Sequence, residues 1–223
     1  EHAATLASAM ALNGLKPFLS IYSTFIQRAY DQINHDIARM ESPVVIGIDR
    51  SGLVGADGPT HHGVFDLAYL RPIPNIIISA PYNEHELRNL MYTATYGNEG
   101  PFVIRYPRGH GELLNWRNEP EKLAIGKDRE LNKGKDIAVL SLGTIGNNAA
   151  QAIKEAVKLG ISVAHYDMVF LKPIDKELLD KVAQTYNHII TVEDGVIKGG
   201  LGSAVLEFLS EEQYSDIKVH CIG

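Results

Sequence analysis

Short, almost wholly apolar runs alternate with segments of helical period along the whole chain, and this alternation constrains the fold more than any other feature. Pro43 to Asp49 and Ile76 to Ala80 are too uniformly apolar to have a solvated face. Strands of that kind belong to a parallel sheet covered by helices on both sides. Pro17 to Tyr22 and Phe102 to Arg105 extend the series. Between them, Ala3 to Leu12 reads as a helix stopped by Asn13-Gly14. Ile26, Ala29, Tyr30, Ile33, Ile37 and Met40 recur at three and four residues as the buried stripe of a long helix. A Thr24-x-x-Gln27 capping box is expected to open it, leaving Phe25 and Arg28 off the stripe. Asn83 with Glu86 caps a further helix, whose expected core face is Leu87, Leu90, Met91 and Ala94.

From Gly109 to Lys135 the periodicity disappears, and the stretch reads as a linker lying across the surface. A second series follows, with strands at Ile137 to Leu142, Ser162 to Met168, His188 to Val192 and Ile217 to Ile222, separated by helices at Asn148 to Leu159, Lys176 to Gln184 and Gly202 to Leu209. The expected architecture is α/β: two three-layer domains with mostly parallel sheets, at residues 1–115 and 136–223, joined by a linker at 116–135. The first residues already read as helix and the last strand runs out at Gly223, so both domains are expected to be truncated and the chain to be a fragment.

Composition excludes several function classes. The chain has 223 residues, 45% hydrophobic and 22% charged, with 21 basic against 27 acidic residues for a net charge of −6. That is the profile of a soluble globular protein, and no Lys/Arg run is dense enough to track a nucleic-acid backbone. Cys221 is the single cysteine, so no intrachain disulfide forms and a reducing compartment fits best. Apolar runs stay strand-sized, far short of the roughly 20 residues that span a bilayer, and the N-terminus lacks the order of a signal peptide. A cytoplasmic location, with no membrane and no nucleic-acid partner, is the expectation.

The chemistry concentrates in the loop from Arg50 to Gly63, which follows an apolar strand. Gly52, Gly55, Gly58 and Gly63 free the backbone for turns, while Arg50, Asp57 and His61 supply a cation, an anion and a proton-moving group. Asp57 is placed to orient the His61 imidazole, an acid/base arrangement; the alternative is an Asx-type turn with a surface histidine, and chemistry alone does not choose between His61 and His62. Arg105-Tyr106-Pro107-Arg108-Gly109 leaves a strand at its ligand-binding end, where two arginines point to an anion. Arg50 with Arg108 would hold a phosphate ester, against the plainer reading of two solvated arginines. Phe25 and Arg28 share the first turn of the long helix and would hold a planar heterocycle, although a rim Phe25 with Arg28 paired to Asp31 is the commoner arrangement. Metal binding is not expected, because ligand spacing and a second cluster are lacking. Lys198-Gly199-Gly200-Leu201-Gly202 is better explained as a tight turn with close helix packing than as a dinucleotide fingerprint.

Several segments together resemble one family. Tyr22-Ser23-Thr24-Phe25-Ile26-Gln27-Arg28-Ala29-Tyr30-Asp31-Gln32, Asp49-Arg50 through Gly63, Arg105-Tyr106-Pro107-Arg108-Gly109 and Asp167-Met168-Val169-Phe170-Leu171-Lys172-Pro173-Ile174-Asp175 are similar to the 1-deoxy-D-xylulose-5-phosphate synthases, thiamine-diphosphate enzymes of the transketolase group. The D-G-x-T-H core of the loop is shared across that group; the Tyr22 segment and R-Y-P-R-G are more specific to the synthases. Smaller departures are Val169, where arginine is frequent, and His62, where glutamine is common; the larger one is at Glu1.

The resemblance implies a pyrimidine-binding domain followed by the transketolase C-terminal domain. The G-D-G…N motif, which in the family holds magnesium and the diphosphate, is not found in these residues, so magnesium would be held mainly by a domain absent from them. It further implies that Phe25 stacks on the aminopyrimidine with Arg28 close by, reversing the preference stated above for that pair. Tyr22, Asp57 and His61 would face the substrates, and Arg50 and Arg108 would bind the phosphate of glyceraldehyde 3-phosphate. The implied reaction condenses pyruvate with glyceraldehyde 3-phosphate to 1-deoxy-D-xylulose 5-phosphate and carbon dioxide, feeding isoprenoid, thiamine and pyridoxal biosynthesis, in a homodimer. In the synthase pattern E-x-H-A, His2-Ala3 matches H-A, so Glu1 would occupy the middle position and the catalytic glutamate would lie just outside this chain. In transketolases proper the motif is E-H, which would make Glu1 the acid; the synthase-specific segments favour the first alignment. The chain alone is expected to be inactive, and the rival expectation is a non-catalytic partner subunit of a split transketolase-like complex.

Overall fold

The computed structural model describes residues 1–111, 113 and 116–223. Helix α1 (His2–Leu12) leads to strand β1 (Phe18–Tyr22), which passes without a loop into two short helices, α2 (Ser23–Ile26) and α3 (Tyr30–Gln32). A 3₁₀ turn at Gln27–Ala29 joins these two, and a π-helical turn at Ile33–Ala38 extends the second. Strand β2 (Val45–Asp49), helix α4 (Asp66–Leu70), strand β3 (Ile77–Ser79), helix α5 (Glu84–Tyr96) and strand β4 (Phe102–Arg105) complete the first half. The second half runs β5 (Arg129–Asn132), β6 (Ile137–Leu142), α6 (Ile145–Lys158), β7 (Val163–Asp167), β8 (Phe170–Lys172), α7 (Lys176–Thr185), β9 (His188–Glu193), α8 (Leu201–Glu211) and β10 (Lys218–Ile222).

Two five-stranded sheets result, ordered β1-β2-β4-β3-β8 and β10-β9-β6-β7-β5. Each is parallel except for one antiparallel edge strand, β8 against β3 and β5 against β7. Two mostly parallel sheets flanked by helices agree with the α/β expectation. Register matters most at the carboxyl ends. Tyr22 pairs with Asp49, and Ile48 with Arg105, so β1, β2 and β4 finish nearly level and release three functional segments side by side.

The irregular helix after β1 departs from the expected capping box. Tyr22, in extended conformation, occupies the capping position because the strand runs straight into the helix, and the Thr24 hydroxyl instead donates to the Thr60 carbonyl at 3.2 Å. Ile26, Ala29, Ile33 and Ile37 are buried as the pattern requires, each large one contributing about 1.5–3 kcal/mol, whereas Tyr30 and Met40 are exposed. The widened π turn leaves the Asp36 carbonyl free to accept from Ser8 and Ser42, while Ala4, Ala7 and Ala11 let α1 pack closely.

Helix α5 is capped as expected, Asn83 accepting from the Glu86 N–H at 3.0 Å. Its buried face is different: Glu86, Asn89, Leu90, Thr93 and Ala94 face inward, and Met91 is exposed. Two polar side chains are buried there because they hold irregular backbone. The Glu121 N–H donates to Asn89 Oδ1 at 3.1 Å and the Leu123 N–H to Thr93 Oγ1 at 2.8 Å. The stretch read as a linker is thus fastened along α5, and it then supplies β5, whose four residues are all exposed. An edge strand without a buried face leaves no apolar period to read.

The two halves are stitched at several points. Strand β8 follows β7 of the second sheet but completes the first. Arg71, just after α4, donates to both carboxylate oxygens of Glu207 on α8 at 2.7 and 2.6 Å. No helix among the described residues is long and apolar enough to cross a membrane.

Candidate active site

The glycine-rich loop leaves β2 through a strained residue, since Arg50 has φ of +56°, a region that side chains other than glycine rarely adopt. Asp49 stabilises that turn by accepting from the Arg50 N–H at 2.6 Å and from its Nη1 at 2.7 Å. The loop is pinched at its neck by a two-bond bridge, Gly52 N to Gly63 O at 2.7 Å and Gly63 N to Gly52 O at 2.9 Å. A Cβ on Gly63 would lie 2.3 Å from the Ser23 Cβ and 2.5 Å from the Arg50 carbonyl, so glycine is required by close approach. Beyond the neck, 3₁₀ turns at Gly55–Asp57 and Pro59–His61 present Asp57 and His61.

Six of the seven residues singled out from the sequence converge. The Tyr22 and Phe25 rings stack with centroids 5.8 Å apart, and the His61 ring meets Phe25 edge-on at 5.3 Å. The Arg50 guanidinium lies over Tyr22, Cζ 3.8 Å from the ring centroid, while its Nε donates to Asp57 Oδ2 at 3.0 Å. Arg108 Nε approaches the same oxygen at 3.3 Å. Arg28 is exposed on the 3₁₀ turn after Phe25, and Asp31 is engaged by His35 at 2.8 Å, so the Arg28–Asp31 pair is not what forms.

Two sequence expectations are corrected. Asp57 is engaged by Arg50 and Arg108, and the His61 Nδ1 is instead 2.9 Å from the Thr60 hydroxyl; two nearby guanidiniums occupy the carboxylate in place of the imidazole. Arg105 is no anion receptor: it is 5% exposed, its Nε donates to both Asp66 oxygens at 3.0 and 2.9 Å, and its Nη2 donates to the Asp194 carbonyl. The Gly199-Gly200 turn has its own anion, Glu193, which accepts from the Leu201 and Gly202 N–H groups at 2.9 Å each and caps α8. The histidines separate by geometry: His62 turns inward, its Nδ1 accepting from the Val54 N–H at 3.2 Å, while His61 faces the aromatic pair.

Arg50 also opens onto a cleft of about 610 Å³ between the two halves, lined by Arg108, Tyr106 and His110 on one side and by Thr144, Asn148 and Asp194 on the other. Burial, with the charge of Asp49 adding, pushes the Tyr106 phenol up. Sequence reasoning missed Asp49, Tyr106 and Asp194. Each sits at or just past the carboxyl end of a parallel strand, the position that signalled the residues found.

A second polar cluster lies where the halves meet. Arg129 Nη2 contacts Glu86 Oε1 at 2.7 Å and Asp167 Oδ2 at 2.8 Å, and both carboxyls are buried. Burial, and for Asp167 also the charge of Glu86, raises both above the ordinary carboxylate range. Asp128 is pushed up to about 7 by burial, with Asp175 adding to the effect. No group of three His, Cys, Asp or Glu among the described residues is arranged to hold a metal ion.

Residues 1–112 match the transketolase pyrimidine-binding domain and residues 126–223 the transketolase C-terminal domain. The chain is 59% identical over 215 residues to a 1-deoxy-D-xylulose-5-phosphate synthase of Bacteroides thetaiotaomicron, covering 96% of this chain and 33% of that protein. It is 56% identical over all 223 residues to the synthase of Azobacteroides pseudotrichonymphae, covering 35% of that protein. The chain therefore spans about a third of the length of the curated relatives it matches. A solved structure described as a split gene transketolase, inactive beta4 tetramer, superposes with a TM-score of 0.88 at 32% identity, covering 100% of this chain and 70% of that one.

Proposed function

The chain belongs to the transketolase family, whose pyrimidine-binding and C-terminal domains it carries, and from that premise we propose that the full protein is a thiamine-diphosphate-dependent 1-deoxy-D-xylulose-5-phosphate synthase. It would join pyruvate to glyceraldehyde 3-phosphate with loss of carbon dioxide, as a cytoplasmic homodimer serving isoprenoid, thiamine and pyridoxal synthesis. The observation that carries the reading is the convergence of Tyr22, Phe25, Arg50, Asp57, His61 and Arg108 at the carboxyl ends of β1, β2 and β4. The synthase names of relatives at 56–59% identity support it.

The residues present fit the pyrimidine half of the cofactor. Phe25 is 41% exposed among aromatic neighbours, a surface on which a flat heterocycle stacks, with Arg28 one turn on. Thiamine diphosphate, when bound, supplies the carbanion chemistry. We assign magnesium mainly to the part of the protein outside this chain, because the G-D-G…N motif that holds it in the family is not found in these residues. Arg50 and Arg108 hold the phosphate of the acceptor, Tyr22 and Asp57 face the substrates, and His61 orients the reacting groups or moves a proton. We keep the division into residues 1–115, 116–135 and 136–223, with β5 counted to the second sheet.

The full-length protein, supplied with thiamine diphosphate, magnesium, pyruvate and glyceraldehyde 3-phosphate, should release carbon dioxide and 1-deoxy-D-xylulose 5-phosphate, and the 223 residues alone should not. Absence of product from the full-length protein would sink the reading. The split-gene neighbour gives weight to a second one, a partner subunit active only after assembly with a separate chain. Activity appearing only after such a chain is added would establish that alternative.

A further inference from the structure

The tripeptide Asp194-Gly195-Val196 leaves the end of β9 in the C-terminal half and clasps both legs of the glycine-rich loop. On the outgoing leg, Asp194 Oδ1 accepts from the Leu53 N–H at 3.3 Å. On the return leg, the Val196 N–H donates to the Val64 carbonyl at 3.0 Å. The Asp194 carbonyl is itself held by Arg105, the cation buried against Asp66. Gly52 is the mate of the carboxylate: with φ of +77°, a Cβ there would lie 1.8 Å from Asp194 Oδ2, so any side chain at position 52 collides with the clasp.

We propose that Asp194 is a positioning residue for the substrate loop, through which the C-terminal domain sets the aim of Asp57 and His61. The path is short. Leu53 is anchored by Asp194, the next N–H, of Val54, by His62, and the 3₁₀ turn that begins at Gly55 delivers Asp57 between Arg50 and Arg108. The return leg, pinned at Gly63 and Val64, fixes the exit from His61. A loop of this length, with four glycines, otherwise has many conformations to choose from, and misplacement by about 1 Å costs roughly a hundredfold in rate.

The inference rests on the synthase reading for its kinetic test, and a second readout stands apart from it. In the full-length protein, Asp194→Ala should raise the KM for glyceraldehyde 3-phosphate roughly ten- to a hundredfold, leave the KM for pyruvate and the Tm nearly unchanged, and speed hydrogen exchange at the Leu53 amide. Asp194→Asn, whose amide oxygen still accepts, should restore both the acceptor KM and the Leu53 exchange rate. Gly52→Ala should reproduce the alanine effect by displacing the clasp. The proposal is overturned if Asp194→Ala leaves Leu53 exchange or the acceptor KM unchanged, or if Tm and both KM values shift together. Should the wild-type protein prove inactive on these substrates, the exchange rates across residues 52–63 still decide whether Asp194 orders the loop.

Discussion

Arg50 lies face-on over Tyr22, its Cζ 3.8 Å from the ring centroid, with one edge of the guanidinium on Asp49 and its Nε on Asp57. A planar fork satisfies these three contacts together, and a point charge on a flexible stem does not. Arg50→Lys should therefore raise the KM for the phosphorylated acceptor by roughly ten- to a hundredfold in steady-state assays of the full-length protein. Tyr22→Leu, which removes the ring, should have a smaller effect, in line with about 0.5–2 kcal/mol for a cation over an aromatic face. Equal kinetics for Arg50→Lys and the parent would contradict this geometry.

Asp57 neutralises the two cations that would hold a phosphate. An incoming anion competes with its carboxylate, so Asp57→Asn is expected to bind inorganic phosphate several-fold more tightly, as titration calorimetry at low ionic strength would register. Unchanged or weaker binding would mean that Arg50 and Arg108 do not form the anion site.

The cluster between the halves makes stability depend on pH. Asp128 accepts from the Phe170 N–H with one oxygen, and its other oxygen is buried without a partner among the described residues. Its folded-state pKa, about 7, lies above the unfolded value of 3.8. The folded state therefore binds the proton more strongly. The associated stability is fully present below about pH 4 and is lost as pH rises through about 7, by up to about 4 kcal/mol. Glu86 and Asp167 are raised in the same direction. Urea denaturation at pH 5 and pH 8 should show the loss, and Asp128→Asn should reduce it; a slope that survives the substitution would assign the effect elsewhere.

Arg105 and Asp66 form a nearly inaccessible pair, 5% and 1% exposed. Asp66→Asn leaves a buried guanidinium short of its counter-charge and should cost about 3–5 kcal/mol in chemical denaturation. Asp66→Leu with Arg105→Met should recover only part, because Arg105 also serves the Asp194 and Gly63 carbonyls. Full recovery would show that those carbonyl contacts contribute nothing.

How much of this was legible depends on which force placed each residue. Val45 to Asp49 and Phe102 to Arg105 were readable because a strand buried on both faces must be apolar throughout. Strands β5 and β8 were not: the first exposes every residue and the second has only three. The face of α5 was misjudged because Asn89 and Thr93 are buried to bind backbone, a demand that comes from a segment about thirty residues away. In the site, residue types marked Arg50, Asp57, His61 and Arg108 correctly as neighbours, but only the folded geometry shows that Asp57 prefers the arginines to His61 and that Arg105 turns inward.

Strand β8 is encoded after β7 of the second sheet, yet it closes the open edge of β3 in the first. During synthesis from the N-terminus, the first sheet therefore waits with one side of β3 bare until residue 172 has emerged, and a product cut at the apparent domain boundary would keep that side bare permanently. Bare strand edges recruit other chains, so the first half made in isolation should be prone to self-association, and the second half acts toward it as a built-in chaperone.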